Sequence, residues 1–243
     1  MTRSNDDIRH GRRALLVAAM ATTLASALAR AQAGGDKAKI GVIGSGRLGG
    51  AVGTLLARAG HPVLFSSRHP EELKSLAAPL GPLAQVGTVA QALAFADVLL
   101  LAVPYGAVPA LARQHAGAWQ GKIVLDATNA IAARDGAVAE EVARDGIGPT
   151  TARYLRGARV VRAFNFTGAG EFARASHRSG APMAVPIAGD DAQALGVAAQ
   201  LVRDAGFEPV VVGGLASADR FAPGGKLFRR MGTAEQFRAW MAE

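Results

Sequence analysis

The residues with the clearest chemical capacity are Gly44, Gly46 and Gly49, spaced G-x-G-x-x-G within Ile43-Gly44-Ser45-Gly46-Arg47-Leu48-Gly49. Glycines so spaced let a chain turn tightly, bring its backbone against a pyrophosphate and pack the next helix close to its strand. The N–H groups and positive dipole end of that helix would face the phosphates. Gly44, Ser45, Gly46, Arg47, Leu48 and Gly49 are therefore the candidate pyrophosphate loop. In a chain with thirty glycines the motif alone is weak evidence. Its place after the apolar run Ile40 to Ile43 and before a helical pattern is what specifies a dinucleotide.

A second group, Ser66-Ser67-Arg68, closes the next apolar run, His61 to Phe65, about twenty residues beyond the glycines. An acidic residue there would bind the ribose hydroxyls of NAD and repel a 2′-phosphate. Two hydroxyls and a guanidinium suit that phosphate, so the expected cofactor is NADP(H). The same residues would also serve as a polar loop ahead of a helix that Pro70 begins. Val103-Pro104, Asn129 and Asn165 each follow a later apolar run and are candidates for the nicotinamide side. Turn chemistry is the alternative for the two asparagines.

Other chemistry has little support. Histidines 10, 61, 69, 115 and 177 show no close metal-ligand spacing, and the chain has no cysteine. Ser45 has the wrong spacing for a serine-nucleophile elbow. Asp190-Asp191 reads as the cap of a helix running to Ala205 rather than an acid/base pair. We expect no metal and no catalytic side chain, because in hydride transfer the cofactor carries the reaction. A carbonyl substrate would want a proton donor, for which Tyr105 and His115 are the nearest guesses.

These groups require strands that end beside one another. Asp97 to Pro104 is a continuous apolar run, as in strands buried on both faces of a parallel sheet. Gly121 to Asp126, Arg159 to Asn165, Pro182 to Ala188 and Glu208 to Gly213 read as further strands. Helices are expected over Arg47 to Ala59, with Gly60 as a left-handed cap, and over Glu71 to Ala77, Tyr105 to His115 and Thr233 to Met241. A helix and a loop are expected within Arg134 to Gly157. The fold expected is α/β: a single Rossmann-type doubly wound, mostly parallel sheet over residues 37–243 with a short C-terminal extension.

Residues 1–33 read differently. A basic start, an apolar stretch from Ala14 to Ala29 and Ala31-Gln32-Ala33 form a signal-peptide pattern, and Arg12-Arg13 resembles a twin-arginine signal. The expectation is export to the periplasm by the twin-arginine machinery. A cytoplasmic protein with a mis-assigned start is the alternative. The net charge of +8 is spread out, without a dense basic run carrying aromatics, so nucleic acid is not an expected partner.

The order and spacing of several pieces resemble the NADPH-dependent deazaflavin reductase family, and are similar to the cytosolic domain of the six-transmembrane metalloreductases. These pieces are Ile43 to Gly49, Ser66-Ser67-Arg68, Ala102-Val103-Pro104, Asp126-Ala127-Thr128-Asn129, Ala163-Phe164-Asn165, Ile187 to Asp191 and Asp204 to Val210. The resemblance runs from about Lys37 to Phe221. It implies hydride transfer between NADP(H) and a flavin or deazaflavin co-substrate, with residues after the last strand covering the cleft or forming a homodimer. Arg220 to Gly225 and the basic Lys226 to Arg230 depart from that pattern. The sequence after Gly213 is too short for the helical domains of beta-hydroxyacid dehydrogenases or pyrroline carboxylate reductases. A non-catalytic NADP-binding sensor and a small carbonyl or imine reductase are the rival readings.

Overall fold

Ile40, Gly41, Val42 and Ile43 are all buried. As β1 (Ile40–Ile43) they pair on both sides within the sheet of the computed structural model, which describes residues 37–243. The expected export signal at residues 1–33, with Arg12-Arg13, lies outside the described residues. From β1 the chain runs through α1 (Arg47–Arg58), β2 (Val63–Ser66), α2 (Lys74–Ala77), β3 (Ala84–Gly87), α3 (Val89–Phe95) and β4 (Val98–Leu101). It continues through α4 (Val108–Gln114), β5 (Ile123–Asp126), α5 (Ala132–Asp135), α6 (Ala137–Asp145), α7 (Ile147–Tyr154) and β6 (Arg159–Arg162). The last elements are α8 (Ala169–Ala175), β7 (Ala184–Gly189), α9 (Ala192–Asp204), β8 (Glu208–Gly213) and α10 (Ala234–Ala242).

The strands form one eight-stranded sheet in the order β3-β2-β1-β4-β5-β6-β7-β8. Every neighbouring pair is parallel except β6 and β7. This is the doubly wound α/β architecture expected from the sequence. The chain leaves β1 towards β2 and β3, then crosses to the other side at β4. Strand order therefore reverses between β1 and β4, where open α/β sheets bind ligands. The continuous apolar run reads through directly: Val98, Leu99, Leu100 and Leu101 are all buried.

Local signals placed several boundaries. Gly60 has φ +93° after α1, the left-handed cap expected there. Asp191 caps α9, its carboxylate accepting from Ala194 N at 2.8 Å. Asp190 does something else: it accepts from Leu215 N at 2.9 Å and ties the end of β7 to the segment after β8.

Three features were not legible in the sequence. β3, Ala-Gln-Val-Gly, is a short edge strand that β2 organises by pairing, and α3 follows from a Thr88–Gln91 capping box. The stretch from Arg134 to Gly157 holds parts of three short helices rather than one helix and a loop. The strand expected through Asn165 stops at Arg162, and Phe164 adopts φ +59°. A bulky residue takes that conformation only where packing over-determines it. Here Phe164 is buried edge-to-face against Phe172, with ring centroids 5.5 Å apart.

The C-terminal extension is part of the core. Arg229 N donates to Phe166 O at 2.9 Å and Ala184 N donates to Gly232 O at 2.8 Å. Phe237 of α10 is fully buried, edge-to-face with Phe166 at 6.3 Å and Trp240 at 6.0 Å.

Candidate cofactor site

The glycine loop is built by steric exclusion. Gly44 has φ +94°, and a Cβ there would lie 2.6 Å from Val103 Cγ1. A Cβ on Gly49 would lie 2.1 Å from Gly44 O, so α1 can approach β1 only without one. Gly46 differs: nothing lies within 4 Å of its would-be Cβ, and the backbone stands open at the start of α1. No side chain caps α1 and no acid occupies its first turn. The first N–H groups of that helix are thus left for an anion. Ser45 Oγ is buried without a hydrogen-bond partner, a further polar atom of the loop to be satisfied. A pyrophosphate fits these residues.

Beside the loop is a cavity of about 510 Å³, lined by Gly44, Ser45, Gly46, Ser66, Ser67, Arg68, Val103 and Pro104 among others. Eight of the residues singled out from sequence therefore share one cleft. Leu73, Val89 and Leu111 give it apolar walls, and Glu72 also reaches it. Ser45 N donates to Ser66 O at 3.0 Å, tying the loop to the end of β2.

The three expected phosphate residues divide. Ser66 is fully buried and its Oγ donates to Val42 O at 2.6 Å, so its one proton is committed to β1. Of the other two, Ser67 accepts at its Oγ from His69 N at 3.1 Å, and Arg68 is exposed. Arg47 and Leu48 lie outside this cavity and flank a neighbouring cleft of about 340 Å³ with Thr167, Gly168, Ala169 and Gly170.

Asn129 and Asn165 meet each other at the same sheet edge. Asn129 Nδ2 donates to Asn165 O at 2.7 Å, and Asn165 Nδ2 donates to Asn129 Oδ1 at 3.2 Å. Asn165 is 1% exposed and also donates to Phe221 O at 3.2 Å. It is an internal bracket, whereas Asn129 is half-buried; neither asparagine is among the residues lining the 510 Å³ cavity. Beneath them Arg162 and Asp126, both fully buried, are paired at 2.5 Å.

Asp135 fastens the loops after β4 and β5. Its carboxylate accepts from Gly106 N at 3.0 Å, Ile131 N at 2.8 Å and Arg134. Arg134 in turn donates to Asn129 O at 2.7 Å. The Arg134 guanidinium first, helped by the two backbone N–H groups, holds the Asp135 carboxyl down at about 2. That lies below the ordinary aspartate value, so the stability it contributes is complete above about pH 4 and is lost as pH falls towards about 2. Asp135→Asn should therefore cost about 2 kcal/mol at neutral pH, in urea unfolding. The gap to the parent protein should narrow below about pH 4; a gap independent of pH would refute the assignment.

Neither guessed proton donor is placed for that role. Tyr105 is fully buried, its hydroxyl 3.1 Å from Thr151 Oγ1, and burial pushes its pKa well above the usual tyrosine value. His115 lines a cleft with Lys122 at the start of β5, the edge opposite the cavity.

Arg162 and Asp135 escaped sequence reading. One signal for Arg162 existed: Ile-Val-Leu-Asp and Arg-Val-Val-Arg are four-residue strands ending in opposite charges, and their register pairs Asp126 with Arg162.

Fold and site together define the class: a doubly wound α/β protein with a dinucleotide cleft where β1 and β4 diverge. Residues 39–130, from β1 past β5, match the family model described as NADP oxidoreductase, coenzyme F420-dependent. Metalloreductase STEAP3 of Rattus norvegicus is 32% identical over 187 residues, which are 74% of this chain and 35% of that protein. The chain thus spans about a third of that relative's length. Among solved structures, hypothetical protein SMa0349 of Sinorhizobium meliloti is 29% identical, with a TM-score of 0.68 over 81% of this chain and 95% of that one. A protein from Arthrobacter sp. FB24 assigned as an F420-dependent NADP reductase is 26% identical, with a TM-score of 0.63 over 74% and 87%. An imine reductase from Pseudomonas sp., 14% identical with a TM-score of 0.55 over 85% and 61%, shares the fold.

Proposed function

We propose that this protein is an NADP-dependent oxidoreductase that exchanges hydride between NADP(H) and a flavin or deazaflavin. The observation carrying this reading is one cleft that joins an uncapped α1, the open backbone at Gly46 and the exposed Arg68. The family match over residues 39–130 and the likeness to an F420-dependent NADP reductase support it. When bound, a reduced nicotinamide supplies the hydride. The chain's part is binding, orientation and exclusion of water. The N–H groups at the start of α1 hold the pyrophosphate, and Ser67 and Arg68 hold the 2′-phosphate. Val103 and Pro104 wall the nicotinamide side, and Asn129 contacts the nicotinamide.

Arg68→Ala should weaken NADPH binding by about 1.5–3 kcal/mol, as for a hydrogen bond to a charged group, and leave NADH binding nearly unchanged. Titration calorimetry on the two cofactors checks this, and equal losses would reject the phosphate role. The acceptor is tested by mixing protein, NADPH and a flavin or deazaflavin, and following loss of reduced-nicotinamide absorbance. Tight NADPH binding with no oxidation by any acceptor would favour a sensor instead.

The same proposal includes export. Residues 1–33 direct the chain through the twin-arginine machinery to the periplasm, with NADP(H) loaded before transit. Intact mass of the native protein tests this: retention of residues 1–33 in a cytoplasmic fraction would overturn it.

A further inference from the structure

The proposed reaction needs the nicotinamide ring held on one face, and Asn129 contributes to that hold. What orients Asn129 lies beneath it. Arg162 is 0% exposed, a rare position for an arginine, and its one carboxylate partner, Asp126, is equally buried. One oxygen of Asp126, Oδ1, is in turn satisfied by Thr128, whose N and Oγ1 donate to it at 3.0 and 2.6 Å. An arginine can only donate hydrogen bonds. Its Nη2 donates to Thr128 O at 2.6 Å and, over a longer 3.4 Å, to Asn129 Oδ1. Asn165 Nδ2 donates to the same Oδ1.

Two donors converging on one atom require that atom to be oxygen, so the amide of Asn129 has one permitted orientation. Its Nδ2 then gives one hydrogen to Asn165 O. The other hydrogen has no partner among the described residues, on a side chain that is only half-buried. The backbone is arranged to the same end. The left-handed Phe164 ends β6 just after Arg162, and Asn165 follows it into its contact with Asn129.

We infer that Arg162 is a positioning residue: with Asp126 and Thr128 it locks the Asn129 amide as a hydrogen-bond donor to the ligand. The site then selects an acceptor oxygen, which in a nicotinamide is that of the carboxamide. This rests on the NADP reading of the cleft.

A double-mutant cycle on NADPH binding tests it, using Arg162→Lys and Asn129→Ala in the full chain. The control ligand is 2′,5′-ADP, which carries the 2′-phosphate and one phosphate of the pyrophosphate but no nicotinamide. A lysine keeps the charge but cannot reach Asp126, Thr128 O and Asn129 Oδ1 together. Arg162→Lys should weaken NADPH about tenfold, leave 2′,5′-ADP within about twofold and add nothing in the Asn129→Ala background. Additive losses, or equal losses for both ligands, would overturn the inference and leave Arg162 purely structural.

Should Arg162→Lys not fold, Asn129→Asp carries the test, since it keeps the arginine and an oxygen facing it while removing the donor. NADPH should again weaken about tenfold with 2′,5′-ADP unaffected; an unchanged NADPH affinity overturns the inference alone. A parent protein that binds neither ligand would sink the NADP reading, and the inference with it.

Discussion

Replacing Arg162 with methionine should destabilise the fold by about 3–5 kcal/mol, measured as a lowered urea midpoint at unchanged slope. The size comes from what is left behind. Asp126 has 0% exposure, so loss of its partner strands a carboxylate away from water. The Thr128 bonds satisfy one of its oxygens, Oδ1, while Arg162 faces the other, Oδ2. The pair itself need not be stabilising, because desolvation offsets most of its attraction. Asp126→Leu combined with Arg162→Met should therefore recover much of the stability lost by the single variant, through repacking among apolar neighbours. If the double variant is as unstable as the single, the cost lies in Arg162's hydrogen bonds to Thr128 and Asn129 instead.

The second large effect concerns the C-terminal extension. Phe237→Ala should cost about 3–5 kcal/mol, the range for deleting a buried aromatic ring. Phe237 is fully buried and sits edge-to-face between Phe166 and Trp240, and that contact anchors α10 against the chain leaving β6. The same region is tied by Arg229 N to Phe166 O, and Phe221 O accepts from Asn165. Loosening α10 should thus reach the bracket beneath the cleft and weaken NADPH binding as well as stability. Phe237→Leu, which keeps most of the apolar volume, should cost roughly half as much or less. A loss below about 1 kcal/mol for Phe237→Ala would mean that the extension is not coupled to the sheet.

Much of the fold was legible because its signals are local. Ile40 to Ile43, Val98 to Leu101 and Ile123 to Leu125 are short apolar runs, as strands covered on both faces must be. Gly60 and Asp191 sit where their backbone and side-chain chemistry requires a cap. β3 was not legible, because a four-residue edge strand owes its form to the neighbour it pairs with rather than to its own residues. The end of β6 was not legible for a related reason: Phe164 turns left-handed because aromatics distant in sequence, Phe172 and Phe207, hold its ring.

The site divides along the same line. Gly44 and Gly49 were readable because each is needed for a backbone conformation or a close approach that no other residue permits, and Gly46 because it completes their spacing. The grouping of the loop with Ser67, Arg68, Val103 and Pro104 follows from parallel strands ending at one edge, which the order of elements implies. Sequence alone could not say that Ser66 gives its proton to Val42, that Asn165 is sealed inside, or that Tyr105 is buried against Thr151. Those outcomes depend on register and on which chain segments pack over the sheet edge. Nor could it reveal the bracket of Arg162, Asp126 and Asn129, because Arg162 is far along the chain from the other two and meets them only when β5 and β6 pair. Local stereochemistry determined which backbone can receive a dinucleotide; tertiary packing decided which polar side chains remain free to touch it.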